Sequence, residues 1–224
     1  MRAFATVFLI FCCQTGAARV RAVASWVPRP QRILVITAHP DDEILLAPFL
    51  ASHCIDRGAS CAILVLTRGE AGGDPHVRTA EMARAAAMLN LRLTQQSLPD
   101  VLAPWPDREA IVEMIRSVVA SENPDMILTF DPEHGTTGHP AHRETGALVR
   151  DSGAQNVWLL ETLARIEPDG IEIGVKEPFT WAFAGDWQYV IRDAANHSSQ
   201  FTEAQVESLR TVPPERRRVW LRRQ

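Results

Sequence analysis

The sequence predicts an α/β fold in which a doubly wound, mostly parallel sheet is sandwiched by helices. Short apolar, β-branched runs alternate with helical patterns from residue 32 onward. The runs are apolar at consecutive positions, which is typical of strands buried on both faces of a parallel sheet. Polar residues crowd directly after the first and the fourth run, at the sheet edge where ligands of such folds bind. The alternation implies right-handed crossovers and helices on both faces.

The first two thirds of the chain contain the clearest elements. Strands are predicted at 33–37, 61–67, 91–98 and 125–130. Helices are predicted between them at 42–57, 77–89 and 108–121, where apolar residues recur at helical spacing. Gly58 is expected to end the first helix, because glycine readily adopts the left-handed conformation found after a helix C-terminus.

The last third predicts shorter elements. Strands are expected at 157–160, 171–175 and 188–191, followed by a last helix at 194–210. The tail at 215–224 holds five arginines and is expected to be a solvated end. The sequence contains no internal repeat and no second domain boundary, so residues 25–224 are predicted to form a single domain.

The composition narrows the function classes. The chain has 224 residues, of which 46% are hydrophobic and 22% are charged, as is usual for a soluble globular protein. A chain of this length buries roughly 70% of its unfolded surface, so it needs no structural metal and a bound metal is expected to be functional. The formal net charge of -4 argues against a nucleic-acid binder, which needs a basic surface.

Residues 1–24 predict a cleaved signal peptide rather than part of the fold. A single arginine precedes an apolar run at 3–13 that is too short to span a bilayer, and an A-x-A pattern follows at 22–24. Cleavage is expected between Ala18 and Ala24, which leaves an exported, periplasmic or extracellular protein with no transmembrane span in the mature chain. The alternatives are an uncleaved anchor and a misassigned start.

Two cysteines remain in the mature chain, Cys54 and Cys61. One possibility is that they pair in an oxidising compartment. The alternative is that both are small buried hydrophobic side chains. The sequence leaves these two possibilities open.

Chemistry-bearing side chains follow the first and the fourth predicted strands. The segment A-H-P-D-D-E occupies 38–43, and D-P-E-H-G-T-T-G-H-P-A-H occupies 131–142. Neither has the G-x-G-x-x-G spacing of a dinucleotide-binding turn, which disfavours a Rossmann oxidoreductase. Imidazole and carboxylate groups at adjacent strand ends suit a divalent metal such as zinc.

The spacing of these residues predicts a catalytic metal site. His39 and Asp42, three residues apart where a strand turns into a helix, can converge on one ion, and the third ligand is expected from His139 or His142. A second carboxylate beside the ion would take a proton from water, and Asp41 and Asp42 together supply both roles. Either segment alone is as readily a helix N-cap or a turn. Their coincidence at neighbouring strand ends favours the metal site.

Five separated motifs occur in order over most of the mature chain. They are A-H-P-D-D-E at 38–43, T-R-G-E-A-G at 67–72, R-x-x-E-x-x-x-A at 78–85, G-T-T-G-H-P-x-H at 135–142 and H-x-S-Q at 197–200. Together they resemble the LmbE-like, or PIG-L, family of zinc-dependent N-deacetylases. The resemblance implies an LmbE-like deacetylase fold with a mononuclear zinc. It also implies hydrolysis of the N-acetyl group of an N-acetylglucosamine-type sugar or glycoconjugate to a free amine and acetate.

Position by position, the resemblance implies that His39, Asp42 and His142 bind the zinc and that Asp41 is the general base. It further implies that His139, as a cation, stabilises the oxyanion or assists the leaving amine. Ferrous iron is an alternative to zinc. The oligomeric state and the aglycone are not indicated.

Substrate contacts are expected from three further residues. Arg78 and Asp74 lie near the glycine-rich loop and can hold sugar hydroxyls or an anionic aglycone, although a surface ion pair is an equal alternative. His197 is expected to line the pocket or to cap backbone at the start of the last helix.

One position departs from the family pattern. The family usually has H-P-D-H, whereas Ala141 here removes a carboxylate that would orient His139. Two other functions therefore stay open, a zinc amidohydrolase acting on a non-sugar N-acyl substrate and a catalytically silent sugar-binding or metal-binding module. Ala141 favours the silent module, and Asp41 argues against it, because a pure binding site needs no free carboxylate beside the metal ligands.

Overall fold

The computed structural model describes residues 29–100 and 104–224. The predicted signal peptide at 1–24 lies outside the described residues. The strands are β1 (Arg32–Thr37), β2 (Ser60–Thr67), β3 (Leu91–Leu98), β4 (Met126–Phe130), β5 (Val157–Leu160), β6 (Thr162–Glu167), β7 (Gly170–Val175), β8 (Trp181–Phe183) and β9 (Val219–Arg223). Seven of them form one sheet in the order β3-β2-β1-β4-β5-β9-β8, and β6 and β7 form a separate hairpin.

The helices cover this sheet. They are α1 (Ala47–Leu50), α2 (Pro75–Met88), α3 (Arg108–Glu122), α4 (Gly135–Gly138), α5 (Pro140–Asp151), α6 (Gln188–Asn196) and α7 (Glu203–Thr211). Short 3-10 turns lie at Ile44–Leu46, Glu70–Gly72 and Pro214–Arg216, and a π-helical turn lies at Ala51–Asp56. The predicted α/β fold with a doubly wound, mostly parallel sheet is therefore confirmed.

The sheet topology creates a crevice at the end of β1. Strands β3, β2, β1, β4 and β5 are parallel, and β1 pairs with β2 on one side and with β4 on the other. The chain thus leaves β1 toward one side of the sheet and later returns on the opposite side. At such a switch point the two loops that follow the strands diverge and leave a crevice for a ligand. The loops after β1 and β4 border this crevice.

Local signals explain several element boundaries. Strands β1 and β4 are buried almost throughout, because both lie in the interior of the sheet. Helix α2 begins with Pro75 in its first turn, and the Asp74 side chain accepts a hydrogen bond from the His76 backbone. Helix α7 begins with a capping box between Thr202 and Gln205.

The C-terminal third differs from the sequence prediction. Residues 188–191 are the first turn of α6 and not a strand, and the predicted helix at 194–210 is two helices, α6 and α7, with a break between them. A short apolar run fits either a strand or a buried helix face. The hydrophobic pattern of 188–191 therefore did not distinguish the two, and the strand assignment was wrong. Strands β6 and β8 and helices α4 and α5 were not predicted.

The arginine-rich tail is also different from its prediction. Its residues Val219–Arg223 form β9, which lies inside the sheet between β5 and β8. Val219, Trp220 and Leu221 are buried. The expectation of a solvated end is therefore wrong, because three consecutive apolar residues outweigh the arginines around them when a sheet edge is available.

A second core cluster holds the β6–β7 hairpin and α7 together beside the crevice. It contains Ile173 of β7, Trp187 and Val190 at α6, and Leu209 of α7. The indole nitrogen of Trp187 donates to the carbonyl oxygen of Leu209 at 2.9 Å. The hairpin is thereby fixed at the carboxyl end of the sheet.

The two cysteines of the predicted mature chain are bonded to each other. Cys54 and Cys61 form a disulfide that joins the π-helical turn to β2. Of the two possibilities that the sequence left open, the structure has the paired one.

Within the described ranges no helix has the length and apolar character needed to cross a bilayer.

Candidate active site

The segments that follow β1 and β4 each contain a residue with an unfavourable backbone conformation. Asp41, in the loop after β1, has a φ of 107°, and Thr136, within the short α4 segment that follows β4, has a φ of 60°. A non-glycine residue in this region costs on the order of 1–3 kcal/mol and persists only when its surroundings hold it. The backbone nitrogen of Asp41 donates to the Glu43 carboxylate at 3.2 Å, which holds this turn. Such outliers cluster at functional sites.

Three side chains converge as a candidate metal centre. His142 Nε2 lies 2.9 Å from Asp42 Oδ1 and 3.3 Å from His39 Nδ1. His39 Nδ1 lies 3.7 Å from the second carboxylate oxygen of Asp42. Two imidazole nitrogens and one carboxylate oxygen fit a divalent ion such as zinc, and three protein ligands leave a position open for water or substrate. The donor set therefore fits the metal that the sequence predicts.

His139 lies at the edge of the same centre. Its ring centroid is 4.9 Å from that of His39 and 5.0 Å from that of His142. Nitrogen atoms of the three histidines all lie within 4.8 Å of one another, so His139 is also close enough to reach an ion. The contact between Asp42 and His142 favours His142 as the third ligand, with His139 beside it.

Each of the three candidate ligand side chains is oriented by a hydrogen bond made by its other polar atom. His142 Nδ1 donates to the Gly135 carbonyl oxygen at 3.0 Å, which leaves its Nε2 as a lone-pair donor. His39 Nε2 lies 3.1 Å from Asp100 Oδ1, which leaves Nδ1 facing the centre. Asp42 Oδ2 accepts from the backbone nitrogen of His39 at 2.7 Å, which leaves Oδ1 toward His142. Such partners fix the tautomer and orientation of metal ligands.

Charge keeps the Asp42 carboxylate ionised. Burial raises the pKa of this carboxyl, but His142 and His39 outweigh burial and hold the pKa well below its usual range. An ionised carboxylate is the form that binds a cation.

Asp41 faces the same cavity as a separate carboxylate. Its Oδ2 accepts a hydrogen bond from Arg78 Nη2 at 2.8 Å, and its side chain is 19% exposed. Burial and the neighbouring Asp42 raise the pKa of Asp41 to about 7, against the lowering effect of Arg78. Asp41 is thus a carboxylate that lies beside the candidate metal ligands and keeps access to the cavity.

Arg78 is held by the loops on either side of it. Its guanidinium donates to the carbonyl oxygens of Gly69 and Pro40, each at 2.7 Å, and its side chain is buried. A Cβ at residue 69 would lie 2.5 Å from this guanidinium, and the φ there is 73°. The glycine-rich loop therefore needs glycine at this position to admit the arginine.

A cavity of about 460 Å³ joins these groups. The predicted residues that line it are His39, Asp41, Asp42, Arg78, His139 and His142. Asp74 does not line it. Asp74 is the exposed N-cap of α2, so its predicted substrate contact stays a prediction.

His197 lies behind the cavity rather than in it. Its Nε2 is 2.7 Å from Glu43 Oε1, and both side chains have 0% exposure. Burial lowers the pKa of His197, but the carboxylates of Glu43 and Asp193 outweigh it and raise the pKa to about 9. The expectation that His197 lines the pocket is therefore wrong, because its ring is used to neutralise buried carboxylates.

The H-S-S-Q segment connects three other motifs. His197 binds Glu43, Ser199 donates through its backbone and its hydroxyl to Glu81 at 2.9 Å and 2.6 Å, and Gln200 donates to the Gly72 carbonyl oxygen at 3.2 Å. The segment thus ties the loop after β1, helix α2 and the glycine-rich loop together.

A buried ionic network supports the loop after β4. Asp131 accepts hydrogen bonds from the backbone nitrogens of Glu133 and His134. Arg222 of β9 pairs with both Asp131 and Glu161, and Glu161 lies 2.7 Å from His134 Nε2. The position of β9 inside the sheet therefore serves to hold the loop that carries His139.

A family model, described as GlcNAc-PI de-N-acetylase and named PIG-L, matches residues 34–152. The chain belongs to the PIG-L family. The match begins in β1 and ends after α5, so it contains both strand-end loops.

Named relatives and solved structures agree with this family. The chain is 27% identical over 132 residues to a probable N-acetyl-alpha-D-glucosaminyl L-malate deacetylase 2 of Bacillus cereus, covering 53% of this chain and 59% of the relative. It is 28% identical over 226 residues to a 1D-myo-inositol 2-acetamido-2-deoxy-alpha-D-glucopyranoside deacetylase of Corynebacterium urealyticum, covering 80% of this chain and 65% of the relative. The chain therefore spans about 59% and 65% of the length of these curated relatives.

The fold is shared with an N,N'-diacetylchitobiose deacetylase from Pyrococcus horikoshii. The TM-score is 0.68 at 19% sequence identity, and the alignment covers 87% of this chain and 84% of the other. At this identity the likeness concerns the fold.

In this PIG-L chain the side chain of Ala141 offers no hydrogen bond to His139, and the backbone nitrogen of residue 141 contacts the ring. The backbone nitrogen of Ala141 donates to His139 Nδ1 at 3.2 Å, so this ring nitrogen carries no proton. Burial lowers the pKa of His139, and His142 and His39 lower it further. Both observations favour a neutral imidazole whose Nε2 carries the proton, in place of the cation expected from the sequence.

Two site residues of this PIG-L chain were not predicted from the sequence. Asp100 directly follows Pro99 at the end of β3, and Glu43 is the last residue of A-H-P-D-D-E. The available signal was position, since both follow the carboxyl end of a parallel strand. Their partners, His39 and His197, lie far away in sequence, so no local pattern reveals the pairing.

Proposed function

We propose that this chain is a metal-dependent N-deacetylase that hydrolyses the N-acetyl group of an N-acetylglucosamine-type sugar or glycoconjugate. The observation that carries this proposal is the combination of the His39, Asp42 and His142 donors with a separate Asp41 carboxylate in one cavity. Membership of the PIG-L family and the names of the relatives supply the amino-sugar substrate.

The metal is proposed to be zinc, held by His39, Asp42 and His142. Two imidazoles and one carboxylate are a common zinc-binding set. When bound, such an ion acidifies water and polarises a carbonyl oxygen. The native metal can also be ferrous iron, since imidazole and carboxylate serve both ions.

The chain's own residues supply the proton transfers. Asp41 accepts a proton from the attacking water while the water oxygen bonds to the acetyl carbon. His139 Nε2–H is placed to donate a hydrogen bond to the developing oxyanion as a neutral imidazole. The C–N bond then breaks, the amine takes up the proton, and acetate leaves. Arg78 holds the Asp41 carboxylate in place throughout.

The protein is proposed to act outside the cytoplasm, as residues 1–24 predict. The disulfide between Cys54 and Cys61 supports this proposal, because such bonds persist in oxidising compartments.

The test is acetate release from a panel of N-acetylglucosaminides and non-sugar N-acetyl amines, with and without added zinc. The wild-type protein and an Asp56→Asn control, changed at an exposed aspartate outside the cavity, are expected to release acetate from the sugars only with metal. Asp41→Asn is expected to lose this activity while keeping stoichiometric zinc. Release from the non-sugar amines alone would show that the substrate is a non-sugar N-acyl compound. Zinc binding without any release would contradict the proposal and point to a different amide substrate or to a silent module.

A further inference from the structure

The cavity at the candidate metal centre is lined by two chemical kinds of side chain. The histidines and aspartates of the site are one kind. Apolar side chains, together called the apolar wall, are the other kind, and they include Leu45, Ala164, Ile166, Ile171, Phe201 and Leu209. Ligand sites are usually lined by apolar side chains with a few polar groups that fix the reacting part. A substrate that fills this cavity therefore presents an apolar portion in addition to its reacting amide.

The β6–β7 hairpin supplies three of these six apolar side chains. Ile166 and Ile171 stand directly opposite each other in its antiparallel register, and Ala164 lies two residues before Ile166 on the same face. Ile166 is 51% exposed, which is more than any other large hydrophobic side chain of the described residues. One exposed isoleucine is ordinary, but this one continues an apolar surface into the cavity.

Helix α7 fixes this wall in place. Ser208 Oγ accepts from the Ile171 backbone nitrogen at 2.9 Å, and Gln205 Nε2 donates to the Glu167 carbonyl oxygen at 2.7 Å. Leu209 is buried in the second core cluster. A wall that is ordered before binding adds affinity, because little further ordering is needed.

The charges in the cavity disfavour an anionic aglycone. Arg78 is the sole lysine or arginine among the described lining residues, and its guanidinium is bound by Asp41 and by the carbonyl oxygens of Pro40 and Gly69. Asp42 and Asp100 add two further carboxylates. An arriving carboxylate or phosphate thus meets acidic groups and an arginine that is already paired.

We infer that the substrate is an amino sugar with an uncharged, apolar aglycone that binds against Ile166, Ile171, Phe201 and Leu209. The inference rests on the proposed deacetylase function. Because the acyl group removed in that reaction is an acetyl with a single methyl, the apolar wall is assigned to the aglycone.

The test compares kcat/KM for acetate release from three N-acetylglucosaminides, the methyl glycoside, the octyl glycoside below its micelle concentration and a glycoside whose octyl chain ends in a carboxylate. A fourth substrate, methyl N-octanoylglucosaminide, places the same chain on the acyl side. The octyl glycoside is expected to exceed the methyl glycoside by at least about tenfold, chiefly through a lower KM. The carboxylated glycoside is expected to fall below the octyl glycoside.

Two matched variants locate the effect. Ile166→Asn is expected to reduce the ratio of octyl to methyl kcat/KM by at least about threefold. Ile55→Asn, at an isoleucine that is 39% exposed and outside the cavity, is expected to leave this ratio unchanged. Equal kcat/KM for all glycosides, a preference for the carboxylated chain, or a preference for the N-octanoyl substrate would overturn the inference.

Calorimetric binding of the octyl glycoside separates this inference from the proposed function. If no glycoside is hydrolysed but the octyl glycoside binds wild type at least about threefold more tightly than Ile166→Asn, the deacetylase proposal fails and the apolar subsite stands. If acetate is released from the methyl glycoside and the octyl chain adds nothing, the subsite fails and the deacetylase proposal stands.

Discussion

The imidazole of His197 lies 2.7 Å from the carboxylate of Glu43, and neither side chain is exposed to solvent. The second carboxylate oxygen of Glu43 accepts the backbone N–H of Asp41 at 3.2 Å. Asp193, also fully buried, has no hydrogen-bond partner for its carboxylate among the described residues. His197 therefore supplies the positive charge that lets this acidic cluster stay buried behind the proposed base.

Stability is expected to depend on pH through His197. The pKa of His197 is about 9 in the fold, against an unfolded value of about 6.5. A group whose pKa rises on folding stabilises the fold below its unfolded pKa, and that contribution is lost as the pH rises through the folded pKa. The free energy of unfolding is thus expected to fall by about 3 kcal/mol between pH 6.5 and pH 9.5. The raised pKa of Asp193, caused by burial and by Glu43, acts in the same direction.

Urea unfolding of the zinc-loaded protein across this pH range measures the effect. His197→Gln is expected to reduce the slope of unfolding free energy against pH. His76→Gln, which changes an exposed histidine, is expected to keep it. Identical slopes for wild type and His197→Gln would show that His197 is not the titrating group.

Arg78→Lys is expected to lower kcat for deacetylation by about 10–100-fold with little change in KM. Lysine keeps the charge but cannot reach Asp41, Pro40 and Gly69 together, so the Asp41 carboxylate loses its fixed orientation. Arg84→Lys serves as the control, because Arg84 is an exposed arginine on the same helix. A change in KM alone would assign Arg78 to substrate binding instead.

Asp100→Asn is expected to weaken zinc binding by about 10–100-fold. Asp100 holds His39 Nε2 at 3.1 Å and also accepts from the Ala71 backbone at 2.9 Å, so it fixes the His39 ring against the glycine-rich loop. Competition with a chromogenic chelator measures the affinity without reference to activity. An unchanged zinc affinity, with Asp56→Asn as the reference variant, would rule out this orienting role.

Gly146→Ala is expected to reduce the free energy of unfolding by about 1–3 kcal/mol. A Cβ at this position of α5 would lie 2.3 Å from the Phe130 carbonyl oxygen, so α5 and the end of β4 would have to separate. Gly174→Ala is the control, because the nearest atom to its Cβ would be 3.7 Å away. Chemical denaturation of both variants decides the point, and equal stabilities would mean that the helix adjusts without cost.

Much of the fold follows from local pattern. Strands β1, β2, β3 and β4 and helices α2 and α3 lie within two residues of their predicted bounds. Continuous apolar runs, helical spacing and end signals are properties of neighbouring residues, so they can be read without knowledge of the partners. The strand-end rule then places both polar loops at one crevice.

The candidate site could be predicted in outline for the same reason. The cavity contains His39, Asp41, Asp42, His139 and His142, all of which follow the carboxyl ends of β1 and β4. The roles of Glu43 and Asp100 could not be predicted, because each depends on a contact with a distant element. The neutral state favoured for His139 likewise depends on burial and on the Ala141 backbone.

The sequence by itself determined the alternation of strands and helices and the residue types at the two loops. Only the tertiary structure decided that β9 enters the sheet, that residues 188–191 are helical, and that His197 is buried against Glu43. The physical reason is that these features depend on contacts between residues far apart in the chain, 154 positions in the case of Glu43 and His197. Such contacts are stabilised by burial and charge compensation, which exist only once the sheet has formed.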